Sequence, residues 1–366
     1  MDKVRVGIVG CGNISPAYFK GCKMFRMLEV VACADLNREA AEARAKEFET
    51  KALGVDELIK SPDVDLVINL TIPKVHASVS KSVLAAGKHV HSEKPIGISI
   101  AEAADLVKFA AEKKLRVGCA PDTFLGAGLQ TCRKIIDDGW IGRPLSGTAF
   151  MMGRGPEGWH PNPAFFYERG GGPMLDMGPY YMTALVHLLG PVKAVSAIAA
   201  KGYTERIATC AAQFGKRLPV EVPTHNSGSI VFQNGAVVTA CISFDVWAHT
   251  HSRIEIYGTE GSIQVPDPNT FGGEVKVWRP ETKQWQLFGF SHPYPENSRS
   301  IGAADIAHAI RSGRPHRCSG ELALHVLETM LAFEKSSLEG RPVAIENQCA
   351  QPAALPLGML PGVLDD

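Results

Sequence analysis

The sequence predicts two architectures in series: an α/β domain on a doubly wound parallel sheet, then an α+β domain with a large, mainly antiparallel open sheet. Three observations carry this expectation. Apolar, Val- and Ile-rich runs alternate with helical segments through the first third of the chain. A glycine turn, Gly10-Cys11-Gly12, separates the first such run from the first helix. After about residue 124 strand-like stretches dominate, and several are joined by hairpin signals such as Gln233-Asn234-Gly235 and Thr259-Glu260-Gly261.

Residues 3–9 (KVRVGIV) read as a buried strand, followed by a helix from about Ile14 to Arg26. Residues 29–34 (EVVACA) form a second strand that ends at Asp35, and Asn37 is placed to cap a helix running to Phe48. A third strand, 65–70 (DLVINL), runs into Thr71-Ile72-Pro73 and a helix from about Val75 to Ala86, with Gly87 at its carboxyl end. Strand 88–91 leads into Ser92-Glu93-Lys94-Pro95, and helix 99–113 and strand 115–119 complete the series. Beyond these lie helix 127–138, strands 145–151, 192–199, 227–233, 236–246, 252–257, 261–265 and 274–278, and helices 302–312 and 320–338. The expected division is a first domain over 1–123, a second over 124–348, with a late helix able to pack back on the first, and an extended tail over 349–366 that packs on the body or on a partner.

Composition narrows the function. The 366 residues, at roughly 150 per domain, suit two domains. Lys+Arg and Asp+Glu are 38 each, so the formal charge is zero, which argues against nucleic acid and against an anionic membrane surface as partners. No apolar run reaches the length of a membrane-crossing helix, and the start of the chain lacks the apolar core of a signal peptide. The nine cysteines are dispersed, odd in number and form no CxxC pair, which suits reduced thiols and a cytoplasmic location and gives no metal site. His249 and His251 stand two apart with no third spaced ligand and read as sheet-face residues.

Gly10-Cys11-Gly12-Asn13-Ile14-Ser15 is the strand-turn-helix segment that cradles a dinucleotide. Gly10 permits the tight turn, and Gly12 admits a pyrophosphate to the helix amino terminus. Ser15 stands where a third glycine would complete the fingerprint. Asp35, about 20 residues on at the end of the second strand, suits a carboxylate that accepts the ribose hydroxyls and repels a 2′-phosphate. NAD is therefore expected over NADP, with Arg38 nearby either softening that preference or standing free on its helix.

GIVGCGNIS (7–15), Asp35, TIPKVH (71–76), HSEKP (91–95) and GGGPMLDMGPYY (170–181) together resemble the glucose–fructose oxidoreductase, inositol dehydrogenase and MocA family, over roughly residues 3–345. The resemblance implies an amino-terminal NAD-binding Rossmann domain and a carboxyl-terminal open sheet through which members form homodimers or homotetramers. It implies oxidation or reduction of sugars, cyclitols or related alcohols with NAD(P), cofactor contacts from Gly10, Gly12, Asn13, Ile14, Asp35, Arg38, Thr71, Pro73, His76, Glu93 and Lys94, and a cis bond before Pro95. His76 has the simpler alternative of capping its helix.

The residues support the same chemistry. Oxidising a carbinol needs hydride removal and proton removal. Lys94 follows a strand at the edge where open α/β sheets bind ligands, and it can orient a substrate hydroxyl. Pro179 belongs in a first turn, so a helix should begin near 176–178, which sets Asp176 and Tyr180 on one cleft. In much of the resembled family histidine stands at the Tyr180 position, and tyrosine is the variant. A free tyrosine's pKa of about 10 is high for a base. The Lys94 ammonium, the oxidised nicotinamide and the helix amino terminus would each lower it. Tyr180 is thus the expected proton acceptor, Lys94 the group that tunes it, and Asp176 an acceptor for a substrate hydroxyl; the alternative gives proton transfer to Lys94. Trp159 and His160, in a Gly/Pro-rich loop, are candidates for covering a sugar. Asp122-Thr123 replace an arginine-rich segment of the resembled family, which removes one partner for an anionic substrate. The leading expectation is an NAD-dependent sugar or polyol dehydrogenase. The rivals are a redox-neutral glycoside-cleaving enzyme that keeps its NAD and a non-catalytic NAD-sensing protein.

Overall fold

The computed structural model describes residues 3–365; Met1, Asp2 and Asp366, the outermost residues of the expected first domain and tail, lie outside them. The first part of the chain runs β1 (Val4–Val9), α1 (Ser15–Met24), β2 (Leu28–Ala34), α2 (Arg38–Phe48), β3 (Lys51–Leu53), α3 (Val55–Lys60), β4 (Leu66–Asn69), α4 (His76–Ala85), β5 (His89–Ser92), α5 (Ile100–Glu112) and β6 (Val117–Cys119). Its six strands are parallel in the order β3-β2-β1-β4-β5-β6. Val6, Ile8, Leu66, Val67, Ile68 and Val90 are fully buried because helices cover both faces. That is why these strands read as unbroken apolar runs. Asn37 caps α2 through its Oδ1, as its position predicts, and Ser99 with Glu102 forms a capping box on α5. Strand β3 and helix α3 were not expected. Three residues carry no periodic pattern, and β3 exists only by pairing with Ala32, Cys33 and Ala34 of β2.

The rest comprises α6 (Ala127–Asp137), β7 (Pro144–Met152), α7 (Gly172–Asp176), α8 (Gly178–Leu189), β8 (Val192–Ala200), β9 (Glu205–Ile207), β10 (Arg217–Pro219), β11 (His225–Phe232), β12 (Val237–Ser243), β13 (Ile254–Gly258), β14 (Ser262–Val265), β15 (Val275–Trp278), β16 (Trp285–Phe288), α9 (Ile301–Ser312), α10 (Gly320–Glu339) and β17 (Val343–Ala344). Nine strands form one sheet, β16-β15-β14-β13-β7-β12-β11-β8-β17, in which β7 and β12 run parallel and the other pairs antiparallel. One face packs on α6, α8 and α10. Helices α9 and α10 also pack on β5, β6 and α5, so the two sheets share one core. The short pairs at β9–β10, β16 and β17 were not foreseen, since each is defined by its partner rather than by local pattern. His249 and His251 do not lie on the sheet face; they stand in the connection between β12 and β13, where His251 packs on Phe150.

The last segment packs on the body. Arg133 donates to the Pro352 carbonyl, the Leu355 amide donates to Gln130, Tyr294 donates to the Val363 carbonyl, and Arg317 clasps Asp365. Among the described residues no helix is long and apolar enough to cross a membrane. None of them forms a group of three or more His, Cys, Asp or Glu side chains placed to hold a metal ion.

Candidate active site

The strand order reverses between β1 and β4, and there the carboxyl ends of both strands open a crevice. The turn after β1 fills one wall. Gly10 has φ +102°, and a β-carbon on it would lie 2.6 Å from the Leu70 backbone, so no other residue fits. Gly12 faces open space and Asn13 is exposed. At the start of α1 the Ser15 and Ala17 amides are taken by the Gly12 and Ile14 carbonyls and Pro16 has none, so the amides open to an anion are those of the turn before it, at Gly12, Asn13 and Ile14. Ser15, in the place of the third glycine, is fully buried and its hydroxyl closes onto the Gly12 carbonyl at 2.8 Å.

Asp35 ties this wall together. Its Oδ2 accepts the Cys11 amide at 2.7 Å and its Oδ1 accepts the Asn37 amide at 2.8 Å, which leaves lone pairs on both oxygens directed outward. Arg38 is exposed and ion-paired with Glu42 one turn along its own helix. Two apolar residues that no sequence motif marks flank the crevice. Leu36, after β2, is 95% exposed and Ile72, after β4, is 63% exposed. Such apolar side chains at strand ends on either side of β1 suit the faces of an adenine ring. An open glycine cradle with its turn amides, a carboxylate and an apolar rim are what a dinucleotide requires.

The opposite wall is the turn after β4. Asn69, also unforeseen, is fully buried: its Nδ2 donates to the His76 carbonyl and Ser80, and its Oδ1 accepts from the Thr71 amide and hydroxyl. His76 is buried, with Nδ1 2.7 Å from the Pro95 carbonyl and Nε2 2.8 Å from the Thr71 carbonyl. Burial lowers its pKa. Each ring nitrogen faces a backbone carbonyl, and the neutral ring donates to one of them, so His76 shapes the wall between the Thr71–Pro73 turn and the Glu93–Pro95 loop.

Lys94 leaves the end of β5, and its peptide bond to Pro95 is cis. Its Nζ donates to the Asp176 carbonyl at 2.7 Å and to Asp176 Oδ1 at 3.0 Å, and it sits 5.1 Å from the centre of the Tyr180 ring. The three residues singled out from the sequence are therefore together, although by a different local geometry. Asp176 ends α7, Met177 turns the chain, and Tyr180 lies in the first turn of α8. Pro179 stands in that first turn, where its missing N–H is harmless. Burial opposes charge on Lys94, but Asp176, Tyr180 and Glu93 outweigh it and raise its pKa. It is held as an ammonium. Glu93 is kept ionised despite burial by Lys94 and by Tyr18, whose hydroxyl donates to its Oε1 at 2.7 Å. Tyr180 is pushed up by burial, while Lys94 pulls it down.

One further charged group enters this cluster. Arg299, in the loop before α9, donates to Asn297 Oδ1 at 3.2 Å; burial lowers its pKa, and the charges of Tyr180, Tyr18, Asp122 and Glu93 raise it on balance. No local pattern marks it, since Asn297-Ser298-Arg299-Ser300 reads as a polar loop. Asp122 is buried and accepts the Ser300 and Gly302 amides, so it supports the start of α9; burial pushes its pKa up to about 6. Among the described residues no hydrogen bond, ion pair or ring contact joins Trp159 or His160 to Lys94, Asp176 or Tyr180. Trp159 is 70% exposed, and His160 bonds Asn162 and packs on Phe165 and Phe166. Their loop is tethered towards the crevice by Lys74–Glu168, an ion pair of 3.0 Å. A cavity of about 660 Å³ behind the Gly170–Gly171 segment is lined by Ile98, Arg169, Glu221, Met330 and their neighbours, and includes none of the three reactive side chains.

Comparison with known proteins agrees with this geometry. Residues 4–120 match an oxidoreductase family model described as an NAD-binding Rossmann fold, and residues 129–264 match the GFO/IDH/MocA C-terminal domain. The dTDP-3,4-didehydro-2,6-dideoxy-alpha-D-glucose 3-reductase of Saccharopolyspora spinosa is 32% identical over 72% of this chain and 74% of its own. The 1,5-anhydro-D-fructose reductase of Ensifer adhaerens is 27% identical over 93% of this chain and 98% of its own. Levoglucosan dehydrogenase in complex with NADH superposes with a TM-score of 0.81 over 95% of this chain and 100% of that one, at 23% identity, and so shares the fold.

Proposed function

The chain belongs to the GFO/IDH/MocA oxidoreductases, and from that premise we propose that it is an NAD-dependent dehydrogenase of a neutral sugar, cyclitol or polyol. The observation that carries the proposal is the Lys94–Asp176–Tyr180 contact beside the dinucleotide crevice. When bound, NAD supplies the hydride acceptor.

The protein supplies the rest. Tyr180 accepts the carbinol proton. Lys94 cannot, because it is already an ammonium held by Asp176; it instead donates to the substrate oxygen and stabilises the charge that grows there. Asp176 has one carboxylate oxygen on Lys94 and the other available to a neighbouring substrate hydroxyl. Asp35, with no basic partner at the ribose position because Arg38 is paired with Glu42, favours NAD over NADP. The Thr71–Pro73 turn and Glu93 frame the nicotinamide end, and Trp159 and His160 form the outer edge of the sugar site.

We further place the protein in the cytoplasm, in keeping with nine cysteines that are all free thiols among the described residues. We propose a homodimer or homotetramer through the open face of the nine-stranded sheet, where Ile198, Val237, Trp285 and Leu287 are exposed on one side.

The test is the growth of reduced-nicotinamide absorbance with NAD and with NADP across aldoses, cyclitols, polyols and glycosides. NADH formation with a polyhydroxylated substrate, and less NADPH formation, is expected. Glycoside cleavage without NADH would support the redox-neutral reading, and cofactor binding with no turnover would support a sensor.

A further inference from the structure

The dinucleotide turn departs from the full glycine fingerprint at Ser15, and the departure is filled by a bonded chain of groups. A third glycine would let α1 lie close on the sheet. Ser15 puts a hydroxyl there instead, and it is fully buried. Its amide and its hydroxyl both donate to the Gly12 carbonyl, at 3.1 and 2.8 Å. That carbonyl shares a planar peptide unit with the Asn13 amide, and the two point in opposite directions. Holding the carbonyl on the start of α1 therefore turns the Asn13 N–H away from the helix, where it is open to an anion.

A hydroxyl has a single proton and can turn it to either side. A second group fixes this one. Arg44, in the middle of α2 and 29 residues away along the chain, donates from Nε to Ser15 Oγ at 3.2 Å. Arginine has donors only, so Ser15 must accept from it and give its own proton to Gly12. The guanidinium is steered in turn by Glu47, one turn along α2, through an ion pair of 2.5 Å. Ala41, Ala45 and Phe48 form the buried face of α2, and Arg44 reaches from beside that face to α1. The turn has another anchor at its first residue, where Asp35 accepts the Cys11 amide. The Arg44–Ser15–Gly12 chain fixes the end that Asp35 does not reach.

We propose that Arg44 is a positioning residue for the cofactor: acting through the Ser15 hydroxyl, it holds the Gly12–Asn13 peptide in the orientation that receives the pyrophosphate. The inference rests on the dinucleotide reading of the crevice and is independent of which alcohol is oxidised. Glu47 pairs the guanidinium, so the effect comes from the direction of the bonds rather than from a free charge. No motif marks Arg44, because only the packing of α2 beside α1 brings it to the turn.

The experiment measures binding to the wild type, Arg44→Met, Ser15→Ala and the double variant. NADH is titrated by calorimetry, and ADP and adenosine are measured by displacing it. Arg44→Met keeps an apolar stem and loses the donor. The loss of one hydrogen bond is expected to weaken NADH and ADP by about 3- to 10-fold in each single variant. Adenosine carries no pyrophosphate and is expected to bind all four proteins alike. The double variant is expected to match Ser15→Ala, because both residues act in one chain. Wild-type affinity for NADH in Arg44→Met overturns the proposal. Equal weakening of adenosine and ADP also overturns it, since that is the mark of a damaged domain rather than of a turned peptide. Losses that multiply in the double variant would show Arg44 acting without Ser15 and would overturn it too. Should Arg44→Met not fold, Arg44→Gln, whose shorter amide stops short of Ser15, carries the same comparison. NADH binding with no turnover of any sugar would refute the dehydrogenase reading and leave this one standing, whereas a wild type that binds no NADH would overturn both.

Discussion

Replacing Tyr180 by Phe lowers kcat for substrate oxidation by about 10²- to 10⁴-fold, the usual contribution of a positioned acid–base group. At about 1.4 kcal/mol per factor of ten, that is about 3–5 kcal/mol of barrier. The ring stays, so its packing in the first turn of α8 and its contact with the Lys94 ammonium are kept. The pH profile is the more informative readout. Tyr180 must be ionised to accept a proton, and burial raises its pKa. Wild-type oxidation should therefore rise with pH, and reduction should fall. The Phe variant should lose both slopes. Binding of NAD, measured by calorimetry, should be unchanged. Full turnover with the slopes intact would remove Tyr180 from the reaction and return proton transfer to another group.

A second large effect is expected at Lys94. Lys94→Met keeps an unbranched chain of similar length but removes the ammonium that joins Asp176 to Tyr180. The expected loss in kcat/KM is about a thousandfold, because transition-state charge loses its donor and Tyr180 loses the ammonium over its ring. Asp176 would be left partly buried without its partner, so KM for the sugar should rise as well. The pH dependence separates the two roles. If Lys94 only tunes and orients, the residual activity of Lys94→Met should still rise with pH, with its limb moved upward. A flat profile in this variant, with a normal slope in Tyr180→Phe, would make Lys94 the proton acceptor.

Much of this site was legible in the sequence because its parts obey local rules. The parallel strands are buried on both faces, so they appear as apolar runs. Gly10 is required by its positive φ and by the Leu70 backbone. Asp35 and Lys94 stand at strand ends, where topology directs side chains into the crevice. Asp176 and Tyr180 both reach Lys94, but from either side of a break between two helices rather than along one. What was not legible depends on contacts distant along the chain. Ser300 comes from a polar loop, and only its bonds to Asp122 and the Tyr18 carbonyl seat that loop against α1. Asp122 could be read only as the absence of an arginine, because its role lies in amides far along the chain. His76 looked like a cofactor contact or a cap, whereas the fold buries its ring between two backbone carbonyls. Asn69 sits at the end of an apolar strand and gave no signal, yet it organises the following turn.

The central claim is that a hydride moves between the cofactor and a carbinol carbon with net reduction or oxidation. The most direct measurement supplies NADH deuterated at C4 together with a panel of keto-sugars, aldoses and inosose-type ketones, and follows the products by mass spectrometry. One deuterium on a single carbon of the reduced product, with NAD formed in equal amount, is expected. Cleavage of a glycoside with the label retained on the cofactor, or no label transfer to any compound despite firm NADH binding, would contradict it.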